Sequence, residues 1–336
     1  MTRFKFLAGL LVAGILCLGN AQAALSTFKT FNGKYAVSTS GWGSTSGWGS
    51  TTQTGTISAT VPAGATVVAA YLYTSTYGSF AGAGGTLQGT AVTYTGLGKN
   101  SYLEAGRADV TPIVAPVING GPGGAYSFSI TETSARQDGS ALVVVYRLPW
   151  LPMSTVAILD GFSEPTGDTT ALNFASPLNP AAPGFFAEMR LGIGFSCCSQ
   201  RSNVRVNGTL ITQNAGNNDD SAQPTPANGN LITVGGNNDP FSPLLPTYEG
   251  DHERYNLVPY VRAGDTSIRV DTENPSRDDN VFLAVFHTAG IAGANAPPPR
   301  ISQPAAVPTL SPLGLALASA ALGLMGLSAL MRRRHG

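Results

Sequence analysis

Three segments of this 336-residue chain occur twice, in the same order, and that constrains the fold more than anything else in it. "LQGTAVT" from Leu87 pairs with "VNGTLIT" from Val206, and "RADVTPIV" from Arg107 pairs with "RYNLVPYV" from Arg254. "YSFSITETSARQDGSALVVVY" from Tyr126 pairs with "TSIRVDTENPSRDDNVFLAVF" from Thr266. Ordered matches of this kind mean one structural unit used twice. The unit is built of strands, because helical periodicity is nearly absent. In its place stand short β-rich runs such as "VVAAYLY" from Val67, "ALVVVY" from Ala141, "TVAIL" from Thr155 and "FLAVF" from Phe282. Gly, Pro and Asn turns separate them, which is the pattern of an all-β sandwich or jelly roll.

The expected body is therefore two tandem β-sandwich domains, residues 24–164 and 165–290, followed by a Pro/Ala-rich linker at 291–306. Such a linker is an extended, semi-rigid spacer. Strand alternation makes the repeat testable: Phe128 and Ile130 should point inward as Ile268 and Val270 do, with Ser129 and Arg269 outward. Val114 and Val261 should fill equivalent core sites, and Gly89 and Gly208 should lie in tight hairpin turns. The continuous apolar runs at 141–145 and 282–286 should be central strands. The "NGT" turn together with "Asp-Val-Thr" running into a glycine turn is similar to galactose-binding-like jelly rolls.

The two ends carry addresses. Arg3 and Lys5, the apolar run Phe6–Leu18 and the small residues Ala21 and Ala23 make residues 1–23 a secretory signal peptide. The run is too short for a bilayer, which needs roughly 20 residues. At the other end "VPTLSPLG", Val307–Gly314, leads into an apolar stretch from Leu313 to Met331, then Arg332, Arg333 and Arg334. That stretch is long enough to span a membrane, and the arginines would hold its end in the cytoplasm. Residues 307–336 resemble the IPTL-CTERM sorting tail, a relative of PEP-CTERM, whose motif is Ile-Pro-Thr-Leu-x-x-Trp-Gly. Pro308, Thr309, Leu310 and Gly314 match it, while Val307 replaces Ile and Leu313 replaces Trp. The resemblance implies a Gram-negative protein cut by an exosortase-type membrane protease and released to the surface or extracellular matrix. The alternative is a plain anchor that stays uncut.

Charge narrows the partners. The chain has nineteen basic and nineteen acidic residues. The leader carries two basic residues and the tail three, with no acidic residue in either, so the body keeps fourteen basic against nineteen acidic, a net −5. Nucleic acid and anionic lipid need a basic face, so neither is the expected partner.

Candidate chemistry is sparse, and no catalytic residue is assigned. There is no Gly-x-Ser-x-Gly elbow, His-Glu-x-x-His or phosphate loop. His252, with Glu249, Asp251 and Glu253, reads as a solvated acidic loop, and His287 as structural. Cys197 and Cys198 are adjacent, with Cα atoms about 3.8 Å apart against the usual roughly 4.4–6.8 Å of a disulfide. A strained vicinal disulfide, two free thiols and an intermolecular bridge all remain open. "GNNDD", "GNNDP" and "RDDN" place Asn217, Asp219, Asp220, Asp239, Asp278 and Asp279 in loops that could offer oxygen ligands to a structural calcium, although turns use the same residues anyway. No other cofactor is implied. The tandem "TSGWGSTSGWGS" holds Trp42 and Trp48 six residues apart, on one side of a strand, either as a sugar-stacking pair or as packing for the sandwich's own edge. Together these features point to an exported, non-enzymatic surface protein, structural or adhesive in a biofilm matrix, with extracellular polysaccharide as the candidate partner. A lectin-like glycan-binding module is the alternative, and a secreted hydrolase comes after it.

Overall fold

The computed structural model describes residues 25–42, 53–77, 83–99, 103–134, 136–164, 166–194, 202–213, 215, 233–239, 241, 253–275 and 280–299. The first half supplies β1 (Ser26–Gly33), β2 (Tyr35–Trp42), β3 (Gln53–Val61), β4 (Thr66–Tyr77), β5 (Gly85–Leu87), β6 (Thr90–Val92), β7 (Thr95–Lys99) and β8 (Leu103–Asp109). Helix α1 (Thr111–Ile118), β9 (Gly124–Glu132) and β10 (Gln137–Arg147) complete it. The second half supplies β11 (Ser154–Asp160), β12 (Asp168–Phe174), β13 (Ala187–Gly194), β14 (Asn203–Val206), β15 (Thr209–Thr212) and β16 (Thr233–Val234). It ends with β17 (Arg254–Asn256), a 3-10 turn at Val258–Tyr260, β18 (Ser267–Glu273), β19 (Asn280–Ala289) and β20 (Ala292–Ala294).

The fold is all-β, in four antiparallel sheets. Their orders are β3-β9-β5-β6, β2-β10-β4-β8-β7, β1-β11-β19-β13-β16 with β17 also on β13, and β15-β14-β18-β12-β20. The two halves use one strand order. β2-β10-β4-β8 corresponds to β11-β19-β13-β17, and β3-β9-β5-β6 corresponds to β12-β18-β14-β15. Each segment that matches in sequence occupies the same place in its half. "LQGTAVT" turns from β5 to β6 and "VNGTLIT" from β14 to β15, through Gln88-Gly89 (φ 50° and 73°) and Asn207-Gly208 (φ 48° and 82°). Two successive left-handed residues make the tight hairpin whose twist matches the strands, which is why glycine ends both turns. Phe128, Ile130, Ile268 and Val270 are buried while Ser129 and Arg269 are exposed. Val114 and Val261 are both buried.

Why do β10 and β19 read as unbroken apolar runs? Their sheets are covered on both faces. Leu142, Val144 and Tyr146 of β10 enter one core with Ile57, Phe128 and Ile130 of the sheet outside it. Ala141, Val143 and Val145 enter a middle core with Val156, Ile158, Phe282 and Val285 of the other half. Ala157, Leu159, Ala284 and Phe286 then face a third core against β12 and β18. The sheets stack in four layers with three apolar seams. Four side chains such as Val143, Ile158, Phe282 and Val285, at about 1.5–3 kcal/mol each, hold the halves together by on the order of 10 kcal/mol. The described residues accordingly fall within one compact unit ending at Pro299.

Four features depart from the sequence reading. β11 pairs with β1 and β19 and with no strand from β2 to β10, so the hand-over between halves lies at 148–153, before the expected 164/165. β1, first in the chain, sits at the edge of the second half's sheet, with Ser26 opposite Asp160 and Gly33 opposite Ser154. The expected linker begins with a strand, since β20 pairs with β12. α1 was also unforeseen. Its Pro112 falls in the first turn, where a missing N–H costs nothing, and Val114 and Ile118 face the core.

Candidate functional site

Of the residues singled out above, Trp42, Asp239, Glu253 and His287 are described. Ala21, Ala23, Trp48, Cys197, Cys198, Asn217, Asp219, Asp220, Glu249, Asp251, His252, Asp278 and Asp279 lie outside the described residues, as does the tail from Val307 to Arg334. Among the described residues, no group of three or more His, Cys, Asp or Glu side chains could hold a metal ion, and no helix is long and apolar enough to cross a membrane.

The structure brings two of the described candidates to one place, the edge strand β2. Trp42 ends β2 and lies across Gly55 of β3, where its indole occupies the space a Cβ would need. It packs against the outer core and is only partly exposed. Of the two readings of the tryptophan tandem, Trp42 follows the packing one. Just before it, serines stitch the edges of two sheets together. Thr60 N–H donates to Ser38 Oγ at 2.9 Å, and Ser58 N–H donates to Ser40 Oγ at 3.4 Å. Hydroxyls thereby satisfy edge amides that would otherwise be left to water.

Opposite this seam stands the turn that follows β16. Thr39 Oγ1 donates to Gly235 O, and the Asp239 carboxylate accepts from Gly236 N–H. Asp239 is thus a turn-forming residue of the kind Asx chemistry favours. The turn is fastened from behind. Arg254 Nη1 donates to Asn237 O (3.2 Å) and Asp239 O (3.0 Å), and Arg190 Nη2 donates to Asn237 Oδ1 (3.3 Å). Asn237 Nδ2 in turn donates to Thr60 O at 3.3 Å, closing the link to β3. Between seam and turn lies a polar cleft of about 210 Å³.

Glu188 organises the two arginines, accepting from Arg190 at 2.7 Å and from Arg254 at 3.0 Å. Burial pushes the Glu188 carboxyl up, but Arg190 and then Arg254 outweigh it and hold it below the usual carboxylate range. Arg190 is 3% exposed, and its Nε and Nη1 have no hydrogen-bond partner. A buried guanidinium held at that cost gains its position against Asn237. His287 stands across from Glu188 in the ladder, its ring 4.6 Å from that of Phe186. Burial, then Arg190, pushes its pKa down to about 4. The neutral ring donates from Nε2 to Tyr35 O at 3.2 Å. With its one proton spent on a carbonyl and Glu188 spent on two arginines, this cluster positions a turn. Glu253 is likewise no solvated acid: it is buried and accepts from Tyr255 Oη at 2.6 Å.

Glu132 is among the titratable groups that the sequence reading did not single out. It is buried at 1% exposure. Ser140 Oγ donates to its Oε1 at 2.7 Å, and its Oε2 has no partner. Burial pushes its pKa up to about 7. The signal was available, because the alternation that turns Phe128 and Ile130 inward turns Glu132 inward too.

Another buried acid, Asp160, welds the halves. Asp160, at the end of β11, pairs with Arg107 of β8 and accepts from Tyr73 Oη at 3.0 Å. The Arg107 guanidinium lies over Phe28 of β1 at 3.3 Å from the ring centre, so three strands of one half or the other meet on one cation. Comparison with protein-family models, curated proteins and solved structures finds no match to the chain.

Proposed function

We propose that the chain is an exported surface or extracellular-matrix protein, structural or adhesive within a biofilm or exopolysaccharide matrix. In this reading the body is a pair of tandem jelly-roll-like sandwiches. Eight corresponding strands that alternate between two sheets, used twice in one order, support it. The tail is a sorting signal cut by an exosortase-type membrane protease after transient residence in the inner membrane, a reading supported by Pro308, Thr309, Leu310, Gly314 and the arginine cluster.

The observation that carries the structural role is the middle core. Two repeats joined by a flexible linker would serve as independent binding modules, whereas two repeats sharing an apolar seam make one stiff block. The test is to follow the protein's mass and location together. Intact-mass measurement on matrix-extracted protein is expected to show loss of everything after about Thr309. Deleting 307–336 is expected to remove the protein from the matrix. A surface form that still carries Arg332–Arg334 would leave a plain anchor instead.

Glycan binding through Trp42 and Trp48 is the second reading. Its support is their even spacing, but the packing of Trp42 over Gly55 places that indole against the protein's own sheet.

A further inference from the structure

We infer that the cleft between the β2–β3 seam and the turn at 235–239 binds a neutral saccharide ring, independently of the tryptophan tandem. The inference takes its biological setting from the matrix reading and its chemistry from the cleft alone.

The walls come first. Ser40, Ser58 and Thr60 supply hydroxyls from two sheet edges, and Asn237, Asn238 and Asp239 supply amide and carboxylate groups from the turn. Among the described residues, Val234 is the one sizeable apolar side chain lining the space. Hydroxyls and carboxamides both donate and accept, which is what a ligand carrying several hydroxyls requires. Asn238 is exposed at the rim.

Charge excludes the competing classes. Neither Arg190 nor Arg254 lines the cleft: both pair with Glu188 and hold the turn from behind, so they shape the cleft without offering it a cation. The carboxylate that lines the cleft, Asp239, would repel an anion, and its Oδ2 is already committed to Gly236 N–H. A hard cation wants several oxygen ligands, and one carboxylate engaged in its own turn is a poor start. What remains is a neutral hydrogen-bonding ligand. The cleft, of about 210 Å³, has room for a single ring.

The site is also pre-organised. Arg254 holds two carbonyls of the turn, Arg190 holds the Asn237 side chain, and Asn237 bridges to Thr60. A binding surface fixed before the ligand arrives loses less entropy on binding. The orphaned Nε and Nη1 of Arg190 show that the fold accepts a buried polar cost to keep that arrangement.

The experiment is titration of the purified full-length chain with glucose, galactose, mannose and N-acetylglucosamine, followed by ligand-observed NMR. Glucuronate and calcium alone serve as charged probes. Saturable binding of at least one neutral sugar is expected, weakened about tenfold in Asn238→Ala and in Thr60→Val, as loss of one good hydrogen bond predicts. An unchanged melting temperature in Asn238→Ala separates lost contact from lost fold. Absence of saturation by all four sugars, or equal binding by both variants, would overturn the inference. So would preference for glucuronate, or a loss seen in Trp42→Phe and not in Asn238→Ala. Neutral-sugar binding by a chain that is not retained in the matrix would support the cleft and sink the matrix reading.

Discussion

Replacing Glu132 by Gln tests the energetics of the first sandwich directly. Its carboxyl is buried, with one oxygen bonded to Ser140 and the other unpartnered, and its pKa is raised from 4.5 to about 7 by burial. Below about pH 4.5 the group is protonated in the folded and unfolded chain alike and does not bias folding. Between there and pH 7 the unfolded chain releases a proton that the folded chain keeps, so stability falls as pH rises. Above pH 7 the full penalty applies. At 1.36 kcal/mol per pH unit it amounts to about 3 kcal/mol. The cost of one unsatisfied buried acceptor, about 1–3 kcal/mol, is of the same order. Gln keeps an acceptor for Ser140 and carries no charge. Urea unfolding at about pH 5 and about pH 8 should therefore show Glu132→Gln near wild type at the lower pH and about 2–3 kcal/mol more stable at the higher one. A variant offset by the same amount at both pH values would refute the reasoning, because the penalty would then owe nothing to ionisation.

His287 should act with the opposite sign. Its pKa lies below the ordinary 6.5, so stability is lost as pH falls from 6.5 toward 4, and His287→Gln should flatten that acid limb of the denaturation profile. Arg107→Met removes the partner of buried Asp160 and should cost about 3–5 kcal/mol by chemical denaturation, whereas a surface pair would cost under about 1 kcal/mol. Gly55→Ala places a methyl where the Trp42 indole lies and should cost about 1–3 kcal/mol, with a red shift in tryptophan emission. An unshifted spectrum would mean that Trp42 does not rest on β3.

The repeat made the strand order legible, since β5–β6, β8–α1 and β9–β10 each have a matched segment in the second half. It did not reveal how the halves meet, because similarity between two units is silent about their packing. A quieter signal was present all the same. "YSFSI" alternates apolar and polar residues and lies in an outer sheet, while "ALVVVY" and "TVAIL" do not alternate and lie in inner ones. Runs apolar on both faces indicate a sheet covered twice. The cleft was harder to foresee. Ser40, Thr60 and Asn237 come from three separate elements, and their meeting depends on β16 joining β13, on Arg254 reaching two backbone carbonyls and on Arg190 reaching the Asn237 side chain. Asp239 drew attention as a calcium ligand because turn chemistry and metal chemistry favour the same residues.

The pairing of β1 with β11 has a consequence for the order of events on the ribosome. β1 begins at Ser26, yet its ladder partner is Ser154–Asp160, and β20, which accepts Thr27 Oγ1 at Ala294 O, comes later still. At roughly 5–20 residues per second, synthesis leaves β1 without a partner for on the order of ten seconds. The first strand among the described residues therefore cannot pair early, and it is among the last to lock. The native stack closes only when its final strands arrive.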